Sequence, residues 1–187
     1  MSIIHEPALF DAAAGRLKGE GVSRSTRTIR ELPGVFAAEE ERASLDPTLP
    51  VYEVEMHDRC GEVEGGLYFG VSHVHPGKVG NEFFMTKGHF HQKRDRGEYY
   101  WGIEGNGLLL LMDEARHSWA ERVFPGSLHY IAGHVAHRLI NTGDVKMIVG
   151  ACWPSDAGHD YEAILNEGFS VRVVEQDGSP VLLEARS

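Results

Sequence analysis

Four side chains in the middle of the chain are of types that bind divalent metal ions. His89 and His91 flank Phe90. Glu98 and His137 follow further along the chain. In an extended strand successive side chains point to opposite faces, so both imidazoles point the same way while Phe90 points into a core. Three neutral imidazoles and one carboxylate suit a divalent transition metal, and without a metal they would leave buried polar atoms unpaired at a cost in free energy.

These four residues are too far apart in sequence for a zinc-finger type of site, so they need a fold that brings separate strands together. Beyond residue 50 the sequence alternates short apolar runs with turn residues. We predict strands at residues 51–56, 66–75, 81–91, 98–103, 108–112, 117–124, 128–131, 137–141 and 146–153. Many short strands with few helices between them predict an all-β sandwich or small barrel. Gly105-Asn106-Gly107 predicts a hairpin between two of these strands.

The two ends of the chain differ from this pattern. Residues 1–50 predict an N-terminal arm that packs on the barrel, with a strand at 26–32 and a short helix at 37–43. Residues 51–187 predict the barrel, followed by a helix at 160–166 and a hairpin turning at Asp177-Gly178. We expect one domain overall.

Composition excludes several classes of protein. The chain has 187 residues and a net charge of −10 without a block of Lys or Arg, which argues against a nucleic-acid surface. No stretch approaches 18 apolar residues, so we expect no membrane span. Cys60 and Cys152 form no disulfide framework, and the N-terminus lacks a signal-peptide pattern. A cytoplasmic protein is therefore expected.

Two strings resemble the motifs of the cupin superfamily of small jelly-roll barrels. Gly88, His89, His91, Glu98 and Gly105 resemble the first motif. The second is matched by Gly126, Ala132, His134, His137 and Asn141. The usual proline of the second motif is Ala132 here, and a usual glycine is His134. Both departures fall in a turn and concern the shape of the loop rather than the metal ligand.

The six residues between His91 and Glu98 are more than most cupins have, and they point to one branch. The strings 76–80, 82–91, 93–98 and 154–161 are similar to those of the cupin-type glucose-6-phosphate isomerases. The resemblance covers roughly residues 51–169. It implies interconversion of glucose 6-phosphate and fructose 6-phosphate, a step of glycolysis and gluconeogenesis. It also implies a homodimer in which the arm and the end hairpin lie at the interface.

The resemblance gives further residues a role. Ser72, Thr86 and Gly88 would bind the phosphate, with the hydroxyls of Tyr52 and Tyr161 nearby. Lys87 has a charge of the right sign, but we expect its side chain to face away from that of Thr86. His159 would lie beside the substrate. Trp153 stands where the family usually has Tyr, and an indole donates a hydrogen bond but cannot relay a proton.

Strand alternation places Tyr100 on the same side as Glu98, with Tyr99 and Trp101 facing away. Glu98 is the expected base that moves a proton between C1 and C2, with Tyr100 and His159 assisting. Metal ligation lowers the basicity of a carboxylate, so a hydride shift is the competing route. We interpret the remaining histidines of the strand region as ordinary: His73, His75, His117, His129 and His134.

The sequence leaves the metal and the exact activity open. Iron(II) is expected first, and manganese, nickel and zinc also suit the ligands. Another cupin enzyme, such as a dioxygenase or a different sugar-phosphate isomerase, is an alternative. A sugar-phosphate-binding cupin without turnover is another.

Overall fold

The computed structural model describes residues 3–165 and 167–185. Strand accounts for 48% of the structure and helix for 7%, which confirms the all-β prediction. The strands are β1 Leu9–Asp11, β2 Arg16–Lys18, β3 Val22–Thr28, β4 Pro50–His57, β5 Leu67–Val74, β6 Lys78–Val79, β7 Glu82–Phe83, β8 Glu98–Glu104, β9 Gly107–Asp113, β10 Ser118–Val123, β11 Leu128–Ile131, β12 Val135–Asn141, β13 Met147–Pro154, β14 Val171–Gln176 and β15 Ser179–Glu184. The helices are α1 Glu39–Ser44 and α2 Glu162–Leu165, and Ile29–Glu31 form a 3-10 turn.

A six-stranded antiparallel sheet forms one wall of the barrel, in the order β11-β8-β13-β5-β4-β3. A three-stranded sheet in the order β10-β9-β12 forms the opposite wall. Val74 and Val149 of the first sheet and Leu109 and Leu139 of the second belong to one buried cluster, so the two sheets pack face to face. This is the cupin barrel that the motifs predict.

Alternation along the strands decides which side chains reach the interior. Ser72 of β5 lies opposite both Val54 of β4 and Val149 of β13. Residues directly opposite each other in an antiparallel pair share a face, so these three form one row across the interior wall. The intervening residues of β5, such as Val71 and His73, point to the outer face.

The N-terminal residues contribute to both faces of this sheet. β1 and β2 pair with each other, and Leu17 of β2 packs with Val71 and Ile148 on the outer face. β3 instead pairs with β4 along its whole length and becomes the last strand of the six-stranded sheet. The strand predicted at 26–32 is thus displaced towards the N-terminus, and its second half is the 3-10 turn. Residues 22–28 are therefore part of the barrel wall.

The predicted hairpin at Gly105-Asn106-Gly107 is wrong. β8 pairs with β11 and β13, whereas β9 pairs with β10 and β12, so the chain passes here from one sheet to the other. Both glycines allow close passage. A Cβ on Gly105 would lie 2.7 Å from the carbonyl oxygen of Lys146, and one on Gly107 would clash with that of Ile140. Turn residues alone do not say which strand the chain pairs with next.

The strand predicted at 81–91 is interrupted. Only β7 is a regular strand there, and isolated bridges follow at Met85, His89 and Phe90.

The C-terminal predictions agree better with the structure. α2 lies within the predicted helix 160–166, of which Asn166 is outside the described residues. β14 and β15 form the predicted hairpin.

His134 occupies the position where the resembled motif has a glycine. Its φ of +63° lies in the left-handed region, which glycine adopts without steric cost and other residues adopt rarely. Its backbone N–H donates to the carbonyl oxygen of Arg94, and its Nδ1 lies 3.2 Å from Glu114. The loop therefore keeps the glycine-type conformation with a histidine in it.

Candidate metal centre and active-site cavity

The four predicted ligands come together from three separate parts of the barrel. His137 lies on β12, and its backbone exchanges two hydrogen bonds with His89, of 3.1 and 3.3 Å. Glu98 is the first residue of β8. Between the two histidines of the first motif, Phe90 is 6% exposed and belongs to the core, as the alternation predicts.

The ligand atoms of these four residues lie within 4.8 Å of one another. Oε1 of Glu98 is 2.6 Å from Nε2 of His137 and 3.4 Å from Nε2 of His91. The ring of His89 is 4.4 Å from that of His137, centroid to centroid. One ion at the centre would be within reach of all four groups.

Backbone carbonyls orient two of the imidazoles. Nδ1 of His91 is 2.7 Å from the carbonyl oxygen of Arg96, and Nδ1 of His137 is 3.3 Å from that of Val135. A carbonyl only accepts, so each Nδ1 carries the proton and donates. Each Nε2 then directs a lone pair to the centre of the cluster, which is the arrangement usual for histidines that bind metals.

The electrostatics of the cluster call for a positive charge. Burial and the neighbouring His137 hold the pKa of His89 well below its usual value. Burial alone would raise the pKa of Glu98, but His137 and His91 outweigh it and lower that pKa to about 2. Oε1 of Glu98 and Nε2 of His137 are buried and have no hydrogen-bond partner among the described residues. Because both are acceptors, a divalent cation would satisfy them, and the three-nitrogen, one-oxygen set fits such an ion.

A cavity of about 190 Å³ opens beside the cluster. Three of the four metal-ligand candidates line it, namely His89, Glu98 and His137. All the other residues predicted for the site line it too: Tyr52, Ser72, Thr86, Gly88, Tyr100, Trp153, His159 and Tyr161. The fold thus brings the predicted set into one space, while the role of each residue stays a prediction.

Thr86 and Gly88 present polar groups to this cavity. Oγ1 of Thr86 accepts a hydrogen bond of 3.0 Å from the backbone N–H of Leu139, which leaves the hydroxyl proton free to be donated elsewhere. Gly88 has a φ of +73°, and a Cβ there would lie 2.7 Å from the ring of Phe169. Only glycine lets the backbone pass between that ring and the cavity.

The buried tyrosines are hydrogen-bond donors at neutral pH. Burial, and secondly the proximity of Tyr161, raises the pKa of Tyr52 to about 12. Burial, followed by the charge of Glu98, raises the pKa of Tyr100 well above its usual value. Both hydroxyls therefore keep their protons and can donate them in hydrogen bonds to oxygen atoms of a ligand.

Trp153 forms an apolar part of the wall. Its side chain is 9% exposed, and its ring lies edge-on to Tyr68 at 5.8 Å. A Cβ on Gly70 would lie 2.8 Å from the indole, so the ring rests directly on the backbone of β5. The position that carries a tyrosine in the resembled family carries a packed indole ring here.

A series of rings in contact runs from the metal ligands to a lysine, beginning with an edge-to-face pair and continuing with a stacked pair. The ring of His159 is 4.4 Å from that of His89 and is stacked on Tyr161 at 5.7 Å, with 6° between the planes. Burial, and secondly the charge of His91, lowers the pKa of His159. The ammonium of Lys87 lies over Tyr161, 5.3 Å from the ring centroid. The expectation that Lys87 faces away from the site is wrong, because residues 86–88 lie between the isolated bridges at Met85 and His89 and form no strand.

Sequence reasoning missed two lining residues from the N-terminal arm. Ser25 and Arg27 of β3 face the cavity. Arg27 is directly opposite Tyr52 of β4, and Ser25 is opposite Val54. The alternation Ser23-x-Ser25-x-Arg27 could have indicated this face, but only once the register with β4 was known.

Comparison with known proteins covers most of the chain. The family model "Glucose-6-phosphate isomerase (GPI)" matches residues 26–182. The chain belongs to this family. Glucose-6-phosphate isomerase of Thermococcus litoralis is 41% identical over 168 residues, covering 87% of this chain and 86% of that protein. The enzyme of the same name from Thermococcus kodakarensis is 43% identical over 163 residues, 84% of each chain.

Membership of the glucose-6-phosphate isomerase family confirms the resemblance inferred from the motifs and the prediction that the chain is an enzyme. Solved structures are more distant. Oxalate decarboxylase of Lactobacillus farciminis superposes with a TM-score of 0.46 at 14% identity, over 59% of this chain and 30% of that one.

Neither helix of the described residues is long and apolar enough to cross a membrane.

Proposed function

We propose that this chain interconverts glucose 6-phosphate and fructose 6-phosphate with the help of one bound divalent metal ion. The observation that carries the proposal is one cavity lined by three of the four metal-ligand candidates and by all the predicted phosphate-binding residues. Interconversion of these two sugar phosphates needs groups that move hydrogen between C1 and C2 and stabilise charge on their oxygens, together with a binding site for the distant phosphate. Relatives that share 41–43% of the sequence are named for this reaction.

His89, His91, Glu98 and His137 would hold the metal ion. When bound, the ion supplies Lewis-acid stabilisation of negative charge on the oxygens at C1 and C2. Iron(II) is our first expectation, with manganese(II), nickel(II) and zinc(II) as alternatives. Fewer than six protein ligands leave positions open for substrate oxygens.

Glu98 is the group we propose to move the proton between C2 and C1. The contacts of its carboxylate with His91 and His137 involve Oε1, so Oε2 is the oxygen we propose takes the proton. The low pKa of Glu98 makes it a weak base, which opposes this role. A carboxylate held close to the reacting carbons offsets that weakness. Tyr100 would donate a hydrogen bond to a substrate oxygen, and the neutral imidazole of His159 would assist ring opening.

A homodimer in the cytoplasm completes the proposal. β11 is an edge strand of the large sheet, and its outer side chains Leu128 and Tyr130 are 68% and 60% exposed. Tyr99 beside them is 49% exposed and packs on Tyr130 at 5.2 Å. An exposed group of aromatic and aliphatic side chains on a sheet edge suits a subunit interface. Sedimentation at micromolar concentration measures the oligomeric state.

The activity test is a coupled assay that follows consumption of fructose 6-phosphate. It is run on the protein as purified, after chelation, and after each of the four metals is restored. We expect activity to fall on chelation and to return with at least one metal. No turnover with any metal contradicts the proposal.

Glu98→Gln separates the enzyme from the two alternatives. An isomerase loses turnover while keeping some affinity for fructose 6-phosphate. A sugar-phosphate sensor shows no turnover in the unmodified protein either. A dioxygenase consumes oxygen with a neutral substrate, which an oxygen electrode detects.

A further inference from the structure

The cavity contains two cations that the reaction at the metal centre does not use. Arg27 of β3 and Lys87 both line it. Glu98 is the one carboxylate of the described residues that lines the same space, and it belongs to the metal cluster. The cavity is therefore electrically divided, with an anionic ligand group at the metal and fixed positive charge elsewhere.

The sheet places the positive charge far from the metal ligands. Arg27 lies on the outermost strand, β3, and Glu98 on β8, with β4, β5 and β13 between them. The two residues therefore lie four strands apart along the curved wall, and both line the same cavity. On the other wall, the rings of His159 and Tyr161 stand between Lys87 and the metal ligands.

Neither cation is neutralised by a close carboxylate. Lys87 has no ion pair among the described residues, and its ammonium lies over Tyr161. The nearest carboxylate to Arg27 is Glu31 at 3.8 Å, in a pair whose side chains are 43% and 42% exposed. That carboxylate is already bound by the backbone N–H and the hydroxyl of Thr28, at 2.9 and 3.0 Å. An exposed pair of this kind contributes little. Nη1 of Arg27 also donates to the carbonyl oxygen of Thr26 at 3.2 Å, so both of these contacts use one nitrogen of the guanidinium.

Arg27 is also close to the tyrosines of the cavity wall. It is directly opposite Tyr52 in the β3–β4 pair, so both side chains lie on the inner face. Burial raises the pKa of Tyr161, and the charge of Arg27 acts against that rise. The guanidinium therefore acts on the same tyrosines that Lys87 approaches from the other wall.

We propose that Arg27 and Lys87 together bind the phosphate of the substrate and make the cavity selective for phosphorylated sugars over neutral ones. This rests on the proposed function and adds its determinant of specificity. A phosphate monoester carries close to two negative charges at neutral pH. Hydroxyl and backbone N–H donors alone, such as those of Ser72, Thr86 and Gly88, would leave that charge without a counter-ion in a half-buried site. Arginine and lysine supply it, and arginine can also bind two phosphate oxygens at once.

The division of charge would also orient the substrate. With its phosphate between Arg27 and Lys87, an open-chain hexose directs C1 and C2 towards Glu98. The N-terminal arm then completes the binding site.

The test compares Arg27→Gln with Arg30→Gln, which removes the same charge three residues away. Arg30 is exposed and does not line the cavity. Losing a charge-assisted hydrogen bond costs binding by about 10- to 100-fold. We expect Arg27→Gln to raise KM for fructose 6-phosphate by that factor with kcat within about 3-fold. Arg30→Gln should match the unmodified protein, and Arg27→Lys should recover most of the loss.

A second measurement does not depend on turnover. Inorganic phosphate should raise the melting temperature of the unmodified protein and of Arg30→Gln, and should raise it much less in Arg27→Gln and Lys87→Gln. If Arg27→Gln and Arg30→Gln have the same KM and the same phosphate-dependent shift, the inference is wrong. If phosphate stabilises the protein through Arg27 but no metal restores isomerase activity, the anion site stands and the proposed function fails.

Discussion

Two clusters of histidine and carboxylate side chains lie at the two faces of the six-stranded sheet. On the inner face Glu98 contacts only histidines, His91 and His137. The outer-face cluster is different, because there Glu55 binds the guanidinium of Arg16 at 2.6 Å. Burial raises the carboxylate pKa at both places and is outweighed at both. Outside, the protein supplies a permanent cation to the carboxylate, whereas inside the described residues supply imidazoles and no Lys or Arg.

The outer-face cluster attaches the arm to the barrel. Glu55 is 1% exposed and also accepts a 2.6 Å hydrogen bond from the backbone N–H of Leu17 and one from Arg24. Glu53 binds His75 at 2.9 Å and Lys146 at 3.3 Å. The comparison teaches that a buried carboxylate beside histidines indicates a metal site only where no Lys or Arg neutralises it.

The largest effect expected from this comparison is on catalysis. Glu98→Gln removes the proposed base and one metal ligand, so kcat for fructose 6-phosphate should fall by about 10³-fold or more. Glu53→Gln makes the same change on the outer face and should leave kcat of the folded enzyme within about 2-fold. Both are measured in the coupled assay with saturating metal. Equal losses in the two variants would remove the distinction between the clusters.

The second effect is on stability, and here the outer-face cluster should matter more than the inner one. Glu55→Gln removes the buried carboxylate that Arg16, Arg24 and the backbone N–H of Leu17 share, and Arg16 keeps only its 3.3 Å contact with Glu53. Losing hydrogen bonds to a charged group of this kind costs about 3 kcal/mol. For a chain of this length, that lowers the melting temperature by about 6–12 °C. Urea unfolding at neutral pH measures it, and the folded enzyme should keep its kcat.

Glu20→Gln is the matched control for this stability change. It breaks the arm's ion pair with Arg59, in which the two side chains are 88% and 60% exposed, and should cost less than about 1 kcal/mol. A cost as large as that of Glu55→Gln would mean that burial does not decide the strength of these pairs.

The third effect is stabilisation by metal, which only the inner cluster should show. An ion at 100 times its Kd stabilises the folded state by about 2.7 kcal/mol, or about 5–11 °C in melting temperature. His89→Ala should abolish this shift, and chelation of the unmodified protein should reverse it. His117→Ala removes a histidine that is 80% exposed and should keep the full shift. A metal-dependent shift that survives His89→Ala would place the ion elsewhere.

The inner cluster was predictable from sequence because its signals are local. The alternation of His89 and His91 about Phe90 does not depend on which strand lies opposite, and family motifs fix the distances to Glu98 and His137. The placement of Tyr100 on the same side as Glu98 follows from the same alternation. These inferences needed no knowledge of the partners of any strand.

What failed depends on long-range pairing. Gly105-Asn106-Gly107 has the residues of a hairpin turn, yet the strands on either side pair in different sheets. Arg27 faces the cavity because of its register with Tyr52, and a shift by one residue would turn it to the outer face. Lys87 lies between the isolated bridges at Met85 and His89, in residues that form no strand, so alternation does not predict its direction. The role of the outer cluster in holding the arm likewise appears only when Arg16 and Glu55, 39 residues apart, are seen together.

The smallest effect is a pH dependence that belongs to the outer face. Burial, and secondly the charge of Arg16, lowers the pKa of His73 to about 4, and both ring nitrogens lack hydrogen-bond partners among the described residues. Glu55, Glu53 and Lys146 are the other charged groups that act on it. The unfolded histidine has a pKa near 6.5, so between that value and 4 the unfolded state binds more protons. The contribution of neutral His73 to the free energy of unfolding is complete above pH 6.5 and is lost as the pH falls towards 4.

Between pH 6 and 5 this single group should cost about 1 kcal/mol of unfolding free energy. His73→Leu keeps a buried apolar shape and should flatten the dependence in that range, measured by urea unfolding at each pH on chelated protein. The pKa of Glu53, lowered to about 2, contributes only below its unfolded value of 4.5, so it does not interfere. An unchanged slope in His73→Leu would assign the acid sensitivity to another group and leave the outer cluster with ion pairing as its only contribution.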